Sequence, residues 1–298
     1  MQSLRRSIIF HSAAFAPVVS VNPLYAPAGA GWGMVAQRRH KSTDALADEL
    51  VSACDELLAA GKRINWVFLG APGVGKGTYA KRVARALGVD HVVAGDLVRA
   101  EVARGSALGR EVAAAVRRGA LVPDNLVTDL VSARVQSPGG FVLDGFPRTV
   151  LQAGALRDLS EVHLAVNLRM REEALIMKCL GRRSCARCGS GYNLADVKVE
   201  PSEGRPGVYM PPLPAPPECA PHLVAREDDV LEVVRERLEV HRVESQPVEG
   251  FYRQDGLLMD FEITQGIPET EPALFEAIQQ ALHARVGNDG SDGRRVAA

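Results

Sequence analysis

The chain has no apolar run near the ~18 residues that a bilayer-spanning helix needs, so a membrane protein is not expected. It has almost no net charge, −1 over 298 residues, and therefore no electrostatic footprint of a nucleic-acid binder. Cysteines are few and odd in number: Cys54, Cys179, Cys185, Cys188 and Cys219. An odd set in a chain this long argues against the disulfide framework of a small secreted domain and suits a reducing compartment. No internal repeat is present. What the composition does supply is 46% hydrophobic residues, enough for a well-packed soluble core.

Acid is missing from one end. Residues 1–43 contain Arg5, Arg6, Arg38, Arg39 and Lys41 but no Asp or Glu, and the first carboxylate is Asp44. Without this segment the balance moves from 35 − 36 = −1 to 30 − 36 = −6. A basic, acid-free, Ser/Ala-containing stretch reads as an organelle transit peptide, with the early arginines favouring mitochondria over plastids.

Beyond it, apolar periodicity alternates between strand and helix. Leu46, Leu50, Cys54 and Leu57 lie at helical spacing within 44–60. Asn65–Gly70 is a short apolar run ending in glycine, followed by a helix over Lys76–Leu87 that Gly88 stops. Further strands are expected at 91–93, 140–144, 161–168 and 257–263. Further helices are expected at 96–104, 108–118, 124–135, 172–180, 228–252 and 271–284. Such alternation predicts an α/β fold with a parallel sheet covered on both faces. Residues 181–224, rich in Gly, Pro and Cys, interrupt the pattern and read as a functional lid or linker. The tail from Gly287 is expected to be disordered.

Gly70-Ala-Pro-Gly73-Val74-Gly75-Lys76-Gly77-Thr78 stands between a strand and a helix and fits the phosphate-binding P-loop except at Gly77, where the pattern has Ser or Thr. Its glycines let backbone N–H groups turn inward, the helix adds its positive N-terminal end, and Lys76 supplies an ammonium. ATP is the expected ligand. Cys185-x-x-Cys188 is half of a zinc site, which Cys219 and His222 would complete as a Cys₃His set.

The Gly-Lys-Gly-Thr variant resembles the adenylate kinase family, and further motifs agree in order: Gly95-Asp96-x-x-Arg99, Gly119-Ala-Leu-Val122, Asp144-Gly-Phe-Pro-Arg148 with Gln152, Gly181-Arg182-Arg183, and Arg226-x-Asp228-Asp229 with Arg237. The likeness spans about residues 63–284. It implies a P-loop NTPase three-layer sandwich over 63–286, with an acceptor-binding segment at 93–122 and an inserted lid at 182–226. A helical extension at 44–62 would precede it. The resemblance places ATP at Gly73, Val74, Gly75, Lys76, Gly77, Thr78, Arg182, Gly191, Tyr192 and Ile267. It places AMP at Ala94, Arg99, Ala120, Leu121, Val122, Gly145, Phe146, Pro147, Arg148, Gln152, Arg226 and Arg237. Lys76, Asp144, Arg148, Arg182, Arg226 and Arg237 would serve the transfer, with Asp144 orienting Mg2+. The partners implied are ATP, AMP and ADP, bound by a monomer that engages neither nucleic acid nor membrane. Ala94 departs from the Thr common among AMP kinases and matches UMP/CMP kinases, whereas the long lid and Thr149 do not. A kinase of another nucleotide pair, or a nucleotide-binding regulator without turnover, are the alternatives.

Overall fold

The computed structural model describes residues 43–289 apart from 60, 62, 107–108, 111, 114–121, 137–138, 203 and 227. Five parallel strands form the central sheet: β1 (Asn65–Gly70), β2 (Asp90–Val93), β3 (Phe141–Asp144), β4 (Leu164–Arg169) and β10 (Leu258–Glu262). Their order is β10-β4-β1-β3-β2. β1 lies in the middle, with β4 on one side and β3 on the other. The crevice at the carboxyl ends of such strands is where an open parallel sheet receives its ligand.

Side chains alternate across the strands and fill two separate cores. Trp66, Phe68, Val142, Leu164 and Val166 pack on one face with α1 (Thr43–Ala59), α2 (Lys76–Leu87), α6 (Glu172–Leu180) and α9 (Ile267–Asp289). Val67, Leu69, Phe141, Leu143 and Ala165 pack on the other with α4 (Asp124–Val135), α5 (Val150–Leu159) and α8 (Gln246–Gln254). The result is the expected three layers. α3 (Ala94–Arg104) follows β2. Of the helix expected over 108–118, Gly109, Arg110, Val112 and Ala113 are helical, and the remaining positions lie outside the described residues.

α1 is part of this core. Leu46, Leu50, Cys54 and Leu57 are all buried on it, as their spacing predicts, against α9 and α2.

Three expectations need correction. The helix over 228–252 starts at Leu231 and comprises α7 (Leu231–Val240), a π-turn (His241–Ser245) and α8. Pro247 has no N–H to give the preceding turn, and an extra residue in the π-turn accommodates it without ending the helix. The interruption at 181–224 is not one loop. β5 (Arg182–Cys185), β6 (Gly191–Asn193) and β9 (Leu223–Val224) form an antiparallel sheet, while β7 (Val197–Val199) pairs with β8 (Val208–Met210). This second hairpin sits on the main body, with Val197, Val199, Val208 and Met210 in the first core and β7 against α6. The Tyr209 N–H donates to the Thr264 carbonyl at 2.8 Å. Finally, α9 begins earlier than Glu271 and runs to Asp289, past Gly287 where the tail was expected to begin.

Candidate functional site

β1 delivers the glycine loop to the central crevice. Each glycine there answers a close approach. A Cβ on Gly70 would lie 2.3 Å from the Leu168 carbonyl oxygen, and one on Gly73 2.6 Å from Cys179 Sγ. Gly75 adopts a left-handed φ of 107° as it caps α2. Gly77 is pressed against the next strand, since a Cβ there would stand 3.0 Å from Asp144 Oδ2. A side chain at Gly77 would therefore crowd the Asp144 carboxylate. Val74 is fully buried, and Thr78 is exposed at the start of α2.

Lys76 folds back over its own loop, donating to the Gly70 and Ala71 carbonyls at 2.6 and 3.1 Å. Burial pushes its ammonium down to about 8; Asp144 opposes that shift, and Arg148 and Arg237 add to it. Asp144, at the end of β3 and 7% exposed, has its carboxyl raised above the usual range by burial, against the pull of Lys76, His91 and Arg148.

The arginines converge on the same crevice. Arg148 donates Nε–H to the Gly145 carbonyl at 2.9 Å, and a Cβ on Gly145 would be 3.5 Å from its Nη2. Gly95 likewise leaves room for Arg99, whose Nη1 would be 3.3 Å from a Cβ there. Enclosure first, then the cations Arg237 and Arg99, lower Arg148 from its ordinary value. Arg226 is lowered by burial and then by Arg182 and Arg99. Arg182, on β5, makes a bidentate pair with Asp229, Nε to Oδ2 being 2.9 Å. Arg237, on α7, pairs with Asp228, and Arg99 with Asp96. Six cations thus influence one another around the crevice, with Asp96, Asp144, Asp228 and Asp229 the carboxylates among them. Arginines crowded by arginines are stable only where anions offset them, and their planar forks suit phosphate oxygens.

The rest of the acceptor set lies nearby in the fold. Ala94 opens α3 and is buried, Phe146 and Pro147 are buried after β3, and Val122 packs partly against the second core. Ala120 and Leu121 lie outside the described residues. Gln152 is 4% exposed in the first turn of α5. On the donor side, Ile267 starts α9 and packs on the first core, while Gly191 and Tyr192 form β6. Interaction with the Cys219 thiol pushes the Tyr192 hydroxyl up to about 12, so this ring lies beside the cysteine knuckle.

In that knuckle the thiols of Cys185, Cys188 and Cys219 all lie within 4.8 Å of one another, Cys188 Sγ being 3.6 Å from Cys219 Sγ. His222 is exposed on a short 3₁₀ turn and is not one of this group. Three of the four expected ligands are therefore brought together.

Two functional-site residues were missed by the sequence reading. Lys178, on α6, reaches under the loop to 3.5 Å from the Val74 carbonyl, and burial holds it down to about 8. His241, on the π-turn, lies beside the Gly70 backbone; burial, then Lys76 and Arg148, push it down to about 4, so it is neutral at physiological pH. No local pattern marks either, because both come from distant elements.

This sheet order, with a glycine loop after the middle strand and cations around it, defines a P-loop protein that binds polyphosphate. A family model described as adenylate kinase matches residues 68–257. The chain is 47% identical over 223 residues to adenylate kinase 1, chloroplastic, of Arabidopsis thaliana, covering 73% of this chain and 78% of that one. It is 46% identical over 236 residues to a probable adenylate kinase 6, chloroplastic, of Oryza sativa subsp. japonica, covering 78% and 81%. It is also 36% identical over 229 residues to an adenylate kinase of Archaeoglobus fulgidus, covering 72% and 100%. The chain belongs to the adenylate kinase family.

Proposed function

We propose that this protein moves the γ-phosphoryl group of ATP onto the phosphate of AMP, giving two ADP, and runs the reverse reaction as readily as concentrations dictate. An AMP phosphate oxygen forms the new P–O bond as the bond from the γ-phosphorus to the β-bridging oxygen breaks. No side chain need remove a proton, because the attacking phosphate is already anionic. Catalysis then reduces to alignment and charge neutralisation. The observation that carries this reading is the convergence of Lys76, Arg99, Arg148, Arg182, Arg226 and Arg237 on one crevice. A single triphosphate does not need so many cations; two nucleotides facing each other do.

In this reading Lys76 exchanges the Gly70 and Ala71 carbonyls for phosphate oxygens of ATP. Arg99 and Arg148 hold the AMP phosphate. Arg182, Arg226 and Arg237 meet the transferring group, and Asp228 and Asp229 keep Arg237 and Arg182 oriented in the meantime. Gln152 faces the acceptor base. Mg2+ enters with ATP, and the buried Asp144 carboxylate, with only Gly77 between it and the loop, has the donor chemistry to orient the ion's waters. When bound, the ion would neutralise phosphate charge.

A structural zinc ion suits the cysteine knuckle. Tetrahedral thiolates at ~2.3 Å from zinc lie about 3.8 Å apart, close to the 3.6 Å between Cys188 and Cys219. Cys185, Cys188 and Cys219 would hold it, as a brace without a part in the chemistry. Metal analysis of the purified protein should find about one zinc per chain, lost in Cys188→Ser; absence of zinc from the unmodified chain would remove the idea.

The basic segment before Asp44 supports delivery to an organelle. The chloroplastic relatives favour the plastid stroma over the mitochondrion, for which only the early arginines speak. The test of the two-nucleotide site is ADP formation from MgATP and AMP by Lys76→Ala and Arg148→Ala. Each should lose about 10²–10³-fold or more in kcat/KM, as removal of a group that stabilises transition-state charge does. Near-normal turnover in Arg148→Ala would refute its role.

A further inference from the structure

One hydrogen-bond chain joins α4 to the loop that follows β3. Asp124 Oδ2 accepts the Thr149 hydroxyl at 2.7 Å, and Oδ1 accepts Gln152 Nε2–H at 2.7 Å. Gln152 Oε1 in turn accepts the backbone N–H of Arg148 at 2.7 Å. Thr149 also caps α5, its hydroxyl accepting from the Gln152 N–H at 3.2 Å. The side chain of a buried glutamine is thus gripped at both ends.

The grip has a direction. A carboxylate only accepts, and a backbone N–H only donates. The amide of Gln152 must therefore turn its nitrogen to Asp124 and its oxygen to Arg148. Rotating it by half a turn would set oxygen against carboxylate and N–H against N–H, two repulsions at a buried amide. A carboxamide has two N–H donors and two acceptor lone pairs. After the internal bonds, Gln152 retains one of each, in a fixed order.

We propose that Asp124 sets the base specificity of the acceptor site by locking the Gln152 amide in one orientation. The proposal rests on the reading above that Gln152 faces the acceptor base. A 6-aminopurine offers an acceptor at N1 and a donor at its exocyclic amine, which match the free N–H and the free lone pair. A 6-oxopurine reverses both, with a donor at N1 and an acceptor at O6. A free amide would flip to suit either base; a locked one suits only the amino form. This supplies discrimination at a site where Ala94 offers no hydroxyl to read the base. Asp124 acts through Gln152 and is a positioning residue.

The test is initial-rate kinetics with AMP and with IMP as acceptors at saturating MgATP. The proteins are the unmodified chain, Asp124→Ala, Asp124→Asn and Gln152→Ala, with KM for ATP and Tm measured in parallel. IMP differs from AMP only on the edge in question. In Asp124→Ala, the ratio of kcat/KM for AMP to that for IMP should fall at least tenfold, mainly through acceptor KM, with KM for ATP unchanged. Asp124→Asn should fall between, because its own amide can present either a donor or an acceptor; it also answers the question if Asp124→Ala does not fold. A ratio that stays constant while both acceptors lose rate together would show mere structural support and overturn the proposal. A Gln152→Ala variant that keeps the original ratio would overturn it differently, by removing the reading that Gln152 faces the base.

Discussion

Lys76 is held by two carbonyls of its own loop, and its enclosure there sets how it responds to pH. Burial lowers its ammonium to about 8, and Lys178 below the loop is lowered similarly. Above pH 8 these groups increasingly lose their protons in the empty enzyme. Phosphate oxygens favour the charged form, so ATP binding must raise both values and draw protons in. MgATP binding should therefore take up protons near pH 8.5 and little near pH 6.5, and its affinity should fall as pH rises through 8. Calorimetric titration in two buffers of different ionisation enthalpy checks this. Equal heats in both buffers at pH 8.5 would count against a buried, phosphate-seeking Lys76. At the same scale, the sequence alone raised Gly77 as a departure from the phosphate-loop pattern but could not explain it. The neighbour it faces, the Asp144 carboxylate 3.0 Å from where a Cβ would be, comes from a strand 67 positions further along. Lys178, His241 and Asp124 escaped a sequence reading for the same reason: contacts across the fold define them, and no neighbouring residue signals them.

Among the elements, those with strong periodicity or glycine punctuation were legible. Asn65–Gly70, Lys76–Leu87 and the α1 stripe follow from spacing alone, since burial of one face is what stabilises them. The strands of 182–224 were not legible, because strands of two to four residues among prolines carry no period. The π-turn at His241 follows from Pro247 only once the helix on both sides is known to continue. α1 supplies the prediction at this scale. Leu50 is fully buried, so Leu50→Ala should cost about 2–5 kcal/mol in denaturant unfolding with little change in KM. Removing residues 1–42 should leave both Tm and activity intact, whereas removal through Ala59 should lower Tm sharply. Equal stability of the two truncations would mean that α1 contributes nothing to the core.

Across the whole molecule, the fold assembles one charge pattern from distant parts. α2 brings Lys76, α3 brings Arg99, and the turn after β3 brings Arg148. β5 brings Arg182, the segment before α7 brings Arg226, and α7 itself brings Arg237. The ordered motifs in the sequence anticipated this gathering, although a lone arginine on a charged helix, as Arg237 is, carries no such meaning by itself. Arg182 pairs with Asp229 and Arg237 with Asp228. The central claim is that this crevice joins ATP to AMP. Its most direct measurement is ADP formation from MgATP with AMP, UMP, CMP or GMP supplied in turn as acceptor. AMP should give the highest kcat/KM by a wide margin; faster turnover of UMP or CMP, or no ADP with any acceptor, would contradict it.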